Sequence, residues 1–394
     1  MLACASVPLC TLSMHAAALG SLSLVDVEVY SQLAMIRHGR SRVLAVGAAG
    51  MLLAPVVAEC GSAGAAPLAS SAVRQAAPAC SSTNLPAWSP DGTQIAFVGR
   101  RLGHGPLAVR AICVTTADGK SAAPLPHTVC TRRCRLDLID SPTQLFWVQP
   151  NLLLYGDDFR IFTIPVGGEP ELLGREPGSF EQFSADSAGD RVAAGFSNCP
   201  RCAGPVTVLS APAGSLVGRV GGKKLDNITP SLSPDGTQVV FVRDYADSSG
   251  RTKGIWTASA NGSHLRRLVP KGFTPLWSPD GGTIAYWQPS ALRLVRPQGG
   301  ASKTLVRQGV DAIFGWSPDG KQIAFQRRGG LLEVVDVGTG KVRKLLRLRF
   351  APSVVWSPNS QELLVKTQPR ANNRCASLWR LPADGSKPQL LRRC

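Results

Sequence analysis

Apolar residues in this chain come in short runs fenced by turn formers. "IAFV" starts at Ile95, "VVFV" at Val239, "IAYW" at Ile284 and "IAF" at Ile323, each a few residues after a Ser-Pro-Asp-Gly stretch. No apolar spacing of helical period runs through this region. Short apolar runs between Gly, Pro, Asn and Asp predict β-strands joined by tight turns. The 40 Gly and 30 Pro of the 394 residues agree with many turns, and a hydrophobic content of 44% with a globular chain.

The runs belong to a repeat. "AWSPDGTQIAFV" begins at Ala87, "LSPDGTQVVFV" at Leu232, "LWSPDGGTIAYW" at Leu276, "GWSPDGKQIAFQ" at Gly315 and "VWSPNSQELLVK" at Val355. "FWVQPNLLLY" from Phe146 and "FSADSAGDRVAAGF" from Phe183 are degenerate copies. The anchors Trp88, Trp147, Phe183, Leu232, Trp277, Trp316 and Trp356 then recur at the spacing of propeller blades or solenoid units. Each unit has a second half such as "IFTIPVGGEPELL" or "GIWTASANGSHLRRL", a strand, a Gly-containing turn and a strand. One unit is therefore four antiparallel strands. The expected fold is all-β, a single β-propeller over residues 80–394, with seven blades preferred and six or eight open because residues 99–146 divide poorly.

The "WSPDG-x-x-IAF" unit followed by "IW/LW…DG…LL" resembles the TolB-type propeller repeat, a relative of the WD repeats that also occurs in prolyl oligopeptidase-like peptidases. The resemblance covers roughly residues 80–394 and implies a propeller. It implies little about activity, because neither TolB's α/β domain nor a G-x-S-x-G hydrolase turn accompanies the repeats.

Residues 1–79 read differently. Val43–Ala58 is an apolar run preceded by Arg37, Arg40 and Arg42 and followed by Ala63-Gly64-Ala65, the layout of a signal peptide over residues 35–65. Residues 1–34 then read as a mis-annotated extension ahead of a start at Met35, and 66–79 as a linker. Cys60 is a candidate lipidation site, although Glu59 argues against it. An uncleaved anchor is the alternative, and the mature form carries no membrane span.

Export makes the remaining cysteines candidates for disulfides. The expected pairs are Cys80–Cys394, closing the ring, with Cys130–Cys134 and Cys199–Cys202 as near neighbours. A four-thiolate zinc site or a redox pair at "CPRC" and "CTRRC" is the alternative, and no cofactor or metal is otherwise expected.

Chemistry is sought in the repeats and in the loops. In Ser89-Pro90-Asp91-Gly92, Ser278-Pro279-Asp280-Gly281 and Ser317-Pro318-Asp319-Gly320, Pro presets the first corner, Asp suits the second and Gly takes the left-handed position. A motif needed once per blade is a turn, and the tryptophans beside it are packing residues. No catalytic residue is assigned, since Glu181, Asp311, His104, His127 and His264 make neither a carboxylate pair nor a metal triad.

Turns one–two and three–four lie at one rim of such a ring, and the irregular connections lie at the other. The second rim carries Arg100, Arg101, Arg132, Arg133, Arg135, Arg201, Arg243, Arg251, Lys253, Arg327, Arg328, Arg370 and Arg374. With a formal net charge of +17, this rim is the candidate binding face. The reading is an exported (periplasmic, cell-surface or extracellular), monomeric, non-enzymatic scaffold binding a protein or an anionic envelope polymer, with nucleic acid disfavoured. The alternative is a secreted lactonase- or glycosidase-like hydrolase acting at the channel mouth.

Overall fold

A computed structural model describes residues 80, 83–100, 110–126, 128, 144–156, 160–175, 180–196, 204–222, 225–243, 253–348, 353–368 and 376–393. All belong to the compact unit Pro67–Cys394. The extension, signal and linker of residues 1–79 lie outside the described residues, as do Cys130, Cys134, Cys199, Cys202 and Cys394. Among the described residues every regular element is a strand, and no helix is long and apolar enough to cross a membrane.

The strands pair antiparallel with their sequence neighbours, in five sheets of four and one of seven. The seven-stranded sheet is two four-stranded units sharing one strand. Lys303–Trp316 pairs at its start with Ser290–Val295 and at its end with Gln322–Arg327. It is thus the fourth strand of one blade and the first of the next, which makes seven four-stranded units among the described residues. The first strands are Asn84–Trp88, Gln144–Gln149, Phe180–Ala185, Asn227–Leu232, Phe273–Trp277, the second half of Lys303–Trp316, and Ser353–Trp356. They touch one another in that order, and the last returns to the first. The units therefore close into a ring, and all seven repeat anchors sit on its innermost strands.

Burial follows the radius. In the second strand of blade 1, Ile95, Ala96, Phe97 and Val98 are all buried, because both faces of that strand press against neighbouring blades. This is why the sequence shows continuous apolar runs there rather than alternation. The outermost strand of blade 6, Val342–Arg347, is partly to fully exposed along its length. The core consists of seams between blades. Ala87, Ala96, Val98 and Ile112 of blade 1 interleave with Leu145, Leu153, Tyr155 and Phe162 of blade 2, and Ala324, Leu332 and Val334 of blade 6 with Val354, Trp356, Leu363 and Val365 of blade 7. The seam joining blade 7 back to blade 1 is smaller, with Trp88, Ile95, Leu364 and Leu378 as its buried residues.

The disulfide at Cys80 differs from the expected one and lies within blade 1. Cys80 pairs with Cys113, not with Cys394. Cys113 lies directly across the sheet from Phe97, so the two share a face, and Cys80 packs on that face with Phe97 and Ala111. The chain ends do meet, through other groups. The Arg392 guanidinium donates to the carbonyls of Cys80 and Gly119, at 3.1 Å each, and lies over the Phe97 ring. Thr83 Oγ1 donates to the Ala376 carbonyl of blade 7 at 3.0 Å.

Candidate functional site

The Ser-Pro-Asp-Gly stretches are turns. In blade 1 the Gly92 amide donates to the Ser89 carbonyl, and Gly92 has φ +73°. The Ser89 hydroxyl donates to Asp91 Oδ1 at 2.6 Å and accepts from the Gln94 amide at 2.9 Å. Ser233, Ser278 and Ser317 repeat both contacts, to Asp235, Asp280 and Asp319 and from the amides of Gln238, Thr283 and Gln322. In blade 7 Asn359 takes the aspartate's place and accepts from Ser357 Oγ at 2.7 Å. These serines are buried, and each hydroxyl is used in both directions. Successive turns also touch, since the Asp319 amide donates to Ser360 Oγ and the Ser187 hydroxyl to the Pro234 carbonyl.

The Ser hydroxyl, followed by a backbone amide, holds the carboxyls of Asp91, Asp235 and Asp280 below the usual aspartate range. In the outer hairpin of blade 1 the Thr116 hydroxyl brings Asp118 down to about 2. A depressed folded pKa adds stability that is complete above the unfolded value near 4 and fades as pH falls through the folded one. Melting temperature should therefore hold from neutrality to about pH 4 and drop steeply below it. A variant with Asp91, Asp235, Asp280 and Asp319 all changed to Asn should melt close to the parent at neutral pH, as Asn359 suggests, and show a shallower acid limb. An acid limb as steep as the parent's would contradict this assignment.

Neighbouring blades bond to backbone groups on several of the first strands. The Phe183 amide donates to Gln144 Oε1, the Leu232 amide to Ser184 Oγ at 3.0 Å, and the Trp277 amide to Ser231 Oγ at 3.3 Å. The indoles of Trp316 and Trp356 donate back to the carbonyls of Leu276 and Gly315, at 3.1 Å each. These tryptophans stitch one blade to the previous one. Among the described residues no group of three His, Cys, Asp or Glu lies close enough to hold a metal ion.

The irregular rim has two features that composition did not reveal. Leu85, Thr229 and Thr274 have φ near +50°, each just before a proline, and the pairing register shifts at the same points. Left-handed backbone at a threonine is a strained conformation for a β-branched residue. The proline at the third position of "NLPAW", "ITPSL" and "FTPLW" is the sequence signal for this bulge. Phe273 stands beside it, partly exposed, with its ring centroid 5.4 Å from that of Trp287.

The predicted arginines separate into different kinds. Arg243 is buried, its guanidinium donating to Asn227 Oδ1 and the Gly221 carbonyl and lying 4.1 Å over the Trp256 ring. It is a structural residue in this fold and not part of an open face. Arg327 donates to the Glu333 carboxylate at 2.6 Å and to the Gln308 carbonyl at 2.6 Å. Arg328, on the same turn, has its side chain 77% exposed, 3.9 Å from Asp311. Lys253 is exposed. Arg100 is described in its backbone alone, and Arg101, Arg132, Arg133, Arg135, Arg201, Arg251, Arg370 and Arg374 lie outside the described residues.

Comparison with known proteins finds part of these repeats similar to a TolB homolog. The chain is 33% identical over 126 residues to a TolB homolog of Chlorobium luteolum, covering 30% of this chain and spanning 28% of that relative's length. An oligogalacturonate lyase from Vibrio parahaemolyticus superimposes with a TM-score of 0.57 at 12% identity, over 77% of this chain and 90% of the other. Hydrazine synthase from Kuenenia stuttgartiensis does so with a TM-score of 0.53 at 12% identity, over 80% and 98%. At these identities the structural likeness is one of fold. No protein-family model matches the chain.

Proposed function

We propose that the chain is an exported, non-enzymatic binding propeller whose irregular rim takes an anionic partner, a protein or an envelope polymer. The supporting observation is how the two rims divide their charge. Asp91, Asp118, Asp235, Asp280, Asp319, Asp336 and Asp384 all lie in turns of the regular rim and accept hydrogen bonds there. At the irregular rim, among carboxylates with described side chains, Asp226 and Glu333 are buried and Asp311 is exposed. Arg328, Lys253 and Lys271 face solvent on that side. The Cys80–Cys113 disulfide suits an oxidising compartment and hence export.

Binding to immobilised poly-L-glutamate at low ionic strength tests the reading. Changing Arg132, Arg133 and Arg328 together to Glu should weaken binding by about tenfold or more, while Lys341→Glu on the regular rim should leave it within error. Arg327 is left intact because it holds Glu333. Equal binding by the triple variant, or equal loss from Lys341→Glu, would remove the irregular rim from consideration.

A further inference from the structure

A second surface lies on the flank of the ring, at the outer boundary between blades 6 and 7. A groove with a volume of about 260 Å³ is lined by Leu346 and Arg347 of blade 6 and by Thr367, Gln368, Trp379 and Pro388 of blade 7. Its apolar wall is continuous with the core of that seam, against which Leu346 and Trp379 pack. The Trp379 indole N–H donates to Thr367 Oγ1 at 3.0 Å, which fixes the ring. What remains is an indole face beside a leucine and a proline, with room for one apolar side chain.

Charge around the groove indicates the occupant. Arg347 lines it, with one guanidinium nitrogen donating to the Gly329 carbonyl at 2.8 Å, and Lys387, next in sequence to the lining Pro388, is exposed. Glu362 is offset by Arg380, whereas Asp384, accepting the Ser386 amide, stays an exposed carboxylate in the blade 7 hairpin. Arg347 and Lys387 outnumber it, so the border is cationic on balance, while the floor is apolar. We propose that this groove docks an acidic protein segment, seating one aromatic or aliphatic side chain against Trp379 and placing flanking carboxylates on Arg347 and Lys387. Such a pairing of one anchored side chain with charged flanks follows the usual division of work at interfaces, in which the buried anchor supplies affinity and the rim charges supply selection. The groove lies at the irregular-rim end of this flank, where the Arg347 guanidinium donates to the Gly329 carbonyl in the turn that carries Arg328, so the proposal rests on the reading above and names an acidic protein segment as the partner.

A fluorescein-labelled peptide Asp-Glu-Asp-Phe-Glu-Asp-Glu is the probe, read by polarisation with the full exported chain. Replacing its Phe by Ala, or its acids by Lys, should each weaken binding by about tenfold. Arg347→Glu should do the same to the parent peptide, and Leu346→Ala should weaken the Phe peptide while leaving the Ala peptide unchanged. Both positions border solvent, and melting temperatures report whether either variant is damaged. A variant with Arg132 and Arg133 as Glu and Arg328 intact should bind the probe as the parent does while losing affinity for poly-L-glutamate, which distinguishes failure of this groove from failure of that face. Equal affinity for the Phe and Ala peptides would reduce the surface to bulk electrostatics and overturn the proposal. Equal affinity of Arg347→Glu and the parent chain would do so too, as would concentration-dependent dimerisation that Arg347→Glu abolishes, which would make a second copy the occupant.

Discussion

Reduction of the Cys80–Cys113 disulfide is expected to lower stability by about 4 kcal/mol and to loosen one seam before the others. The magnitude follows from the sequence separation of 33 residues between the cysteines, whose loop the unfolded chain no longer has to keep closed. The location follows from how the ring closes. Blade 1 is built wholly from residues 84–124 and blade 7 wholly from 353–392, so among the described residues no sheet mixes strands from the two ends. Among the described residues the seam between them holds four buried core residues, against seven to ten in the other seams. Arg392 compensates by reaching across to the Cys80 carbonyl, a contact that needs Cys80 held in place. Hydrogen exchange on a Cys80→Ser, Cys113→Ala variant at low denaturant should therefore show faster exchange for Leu378 and Arg392. Amides of Val240 and Phe241, on the far side of the ring, should be unchanged. Uniform acceleration in all blades, or none in any, would show that the disulfide does not latch this seam.

The architecture was legible because its signals are local. A Ser-Pro-Asp-Gly turn needs its residues in one order, and a second strand pressed between blades needs an unbroken apolar run, so Trp88 to Trp356 marked every inner strand. Local signals are silent about which group lies across a seam. Cys80 precedes the first strand at a distance that suits either Cys394 or Cys113. The face on which it packs is decided by the pairing of Phe97 with Cys113, which no spacing along the chain expresses. The unbroken strand Lys303–Trp316 was hidden for a related reason: Gly309, with φ +77°, reads as a break between blades, yet it lies within one continuous strand. The arginines show the same limit. Arg243, Arg327 and Arg328 all follow apolar second strands or sit in their turns, and only the three-dimensional surroundings separate a buried guanidinium from a solvated one.

Changing Arg327 to Met should cost about 3 kcal/mol, whereas Arg328→Met should change stability by about 0.5 kcal/mol at most. The difference lies in the partner. The Glu333 side chain is 1% exposed, and Arg327 Nε stands 2.6 Å from Oε2. Removing the guanidinium leaves an ionised carboxylate in an apolar seam, and the resulting desolvation cost is larger than any contact the methionine can offer. Because the Arg327 side chain is itself 32% exposed, water can reach part of the vacated space, which places the expected cost at the lower end for a broken buried pair. The double variant Arg327→Met, Glu333→Leu removes both charges and should recover most of the loss, since a well-packed apolar pair often equals a buried ion pair in stability. Urea unfolding of the four proteins measures these terms directly. An unchanged midpoint for Arg327→Met would show that Glu333 is satisfied without it, and a double variant no better than the single would show that the loss came from packing and not from the stranded charge. The same comparison bears on binding. A drop in partner affinity for Arg327→Met that tracks its unfolding, and disappears in the double variant, assigns Arg327 to the scaffold and leaves Arg328 as the contact residue of that turn.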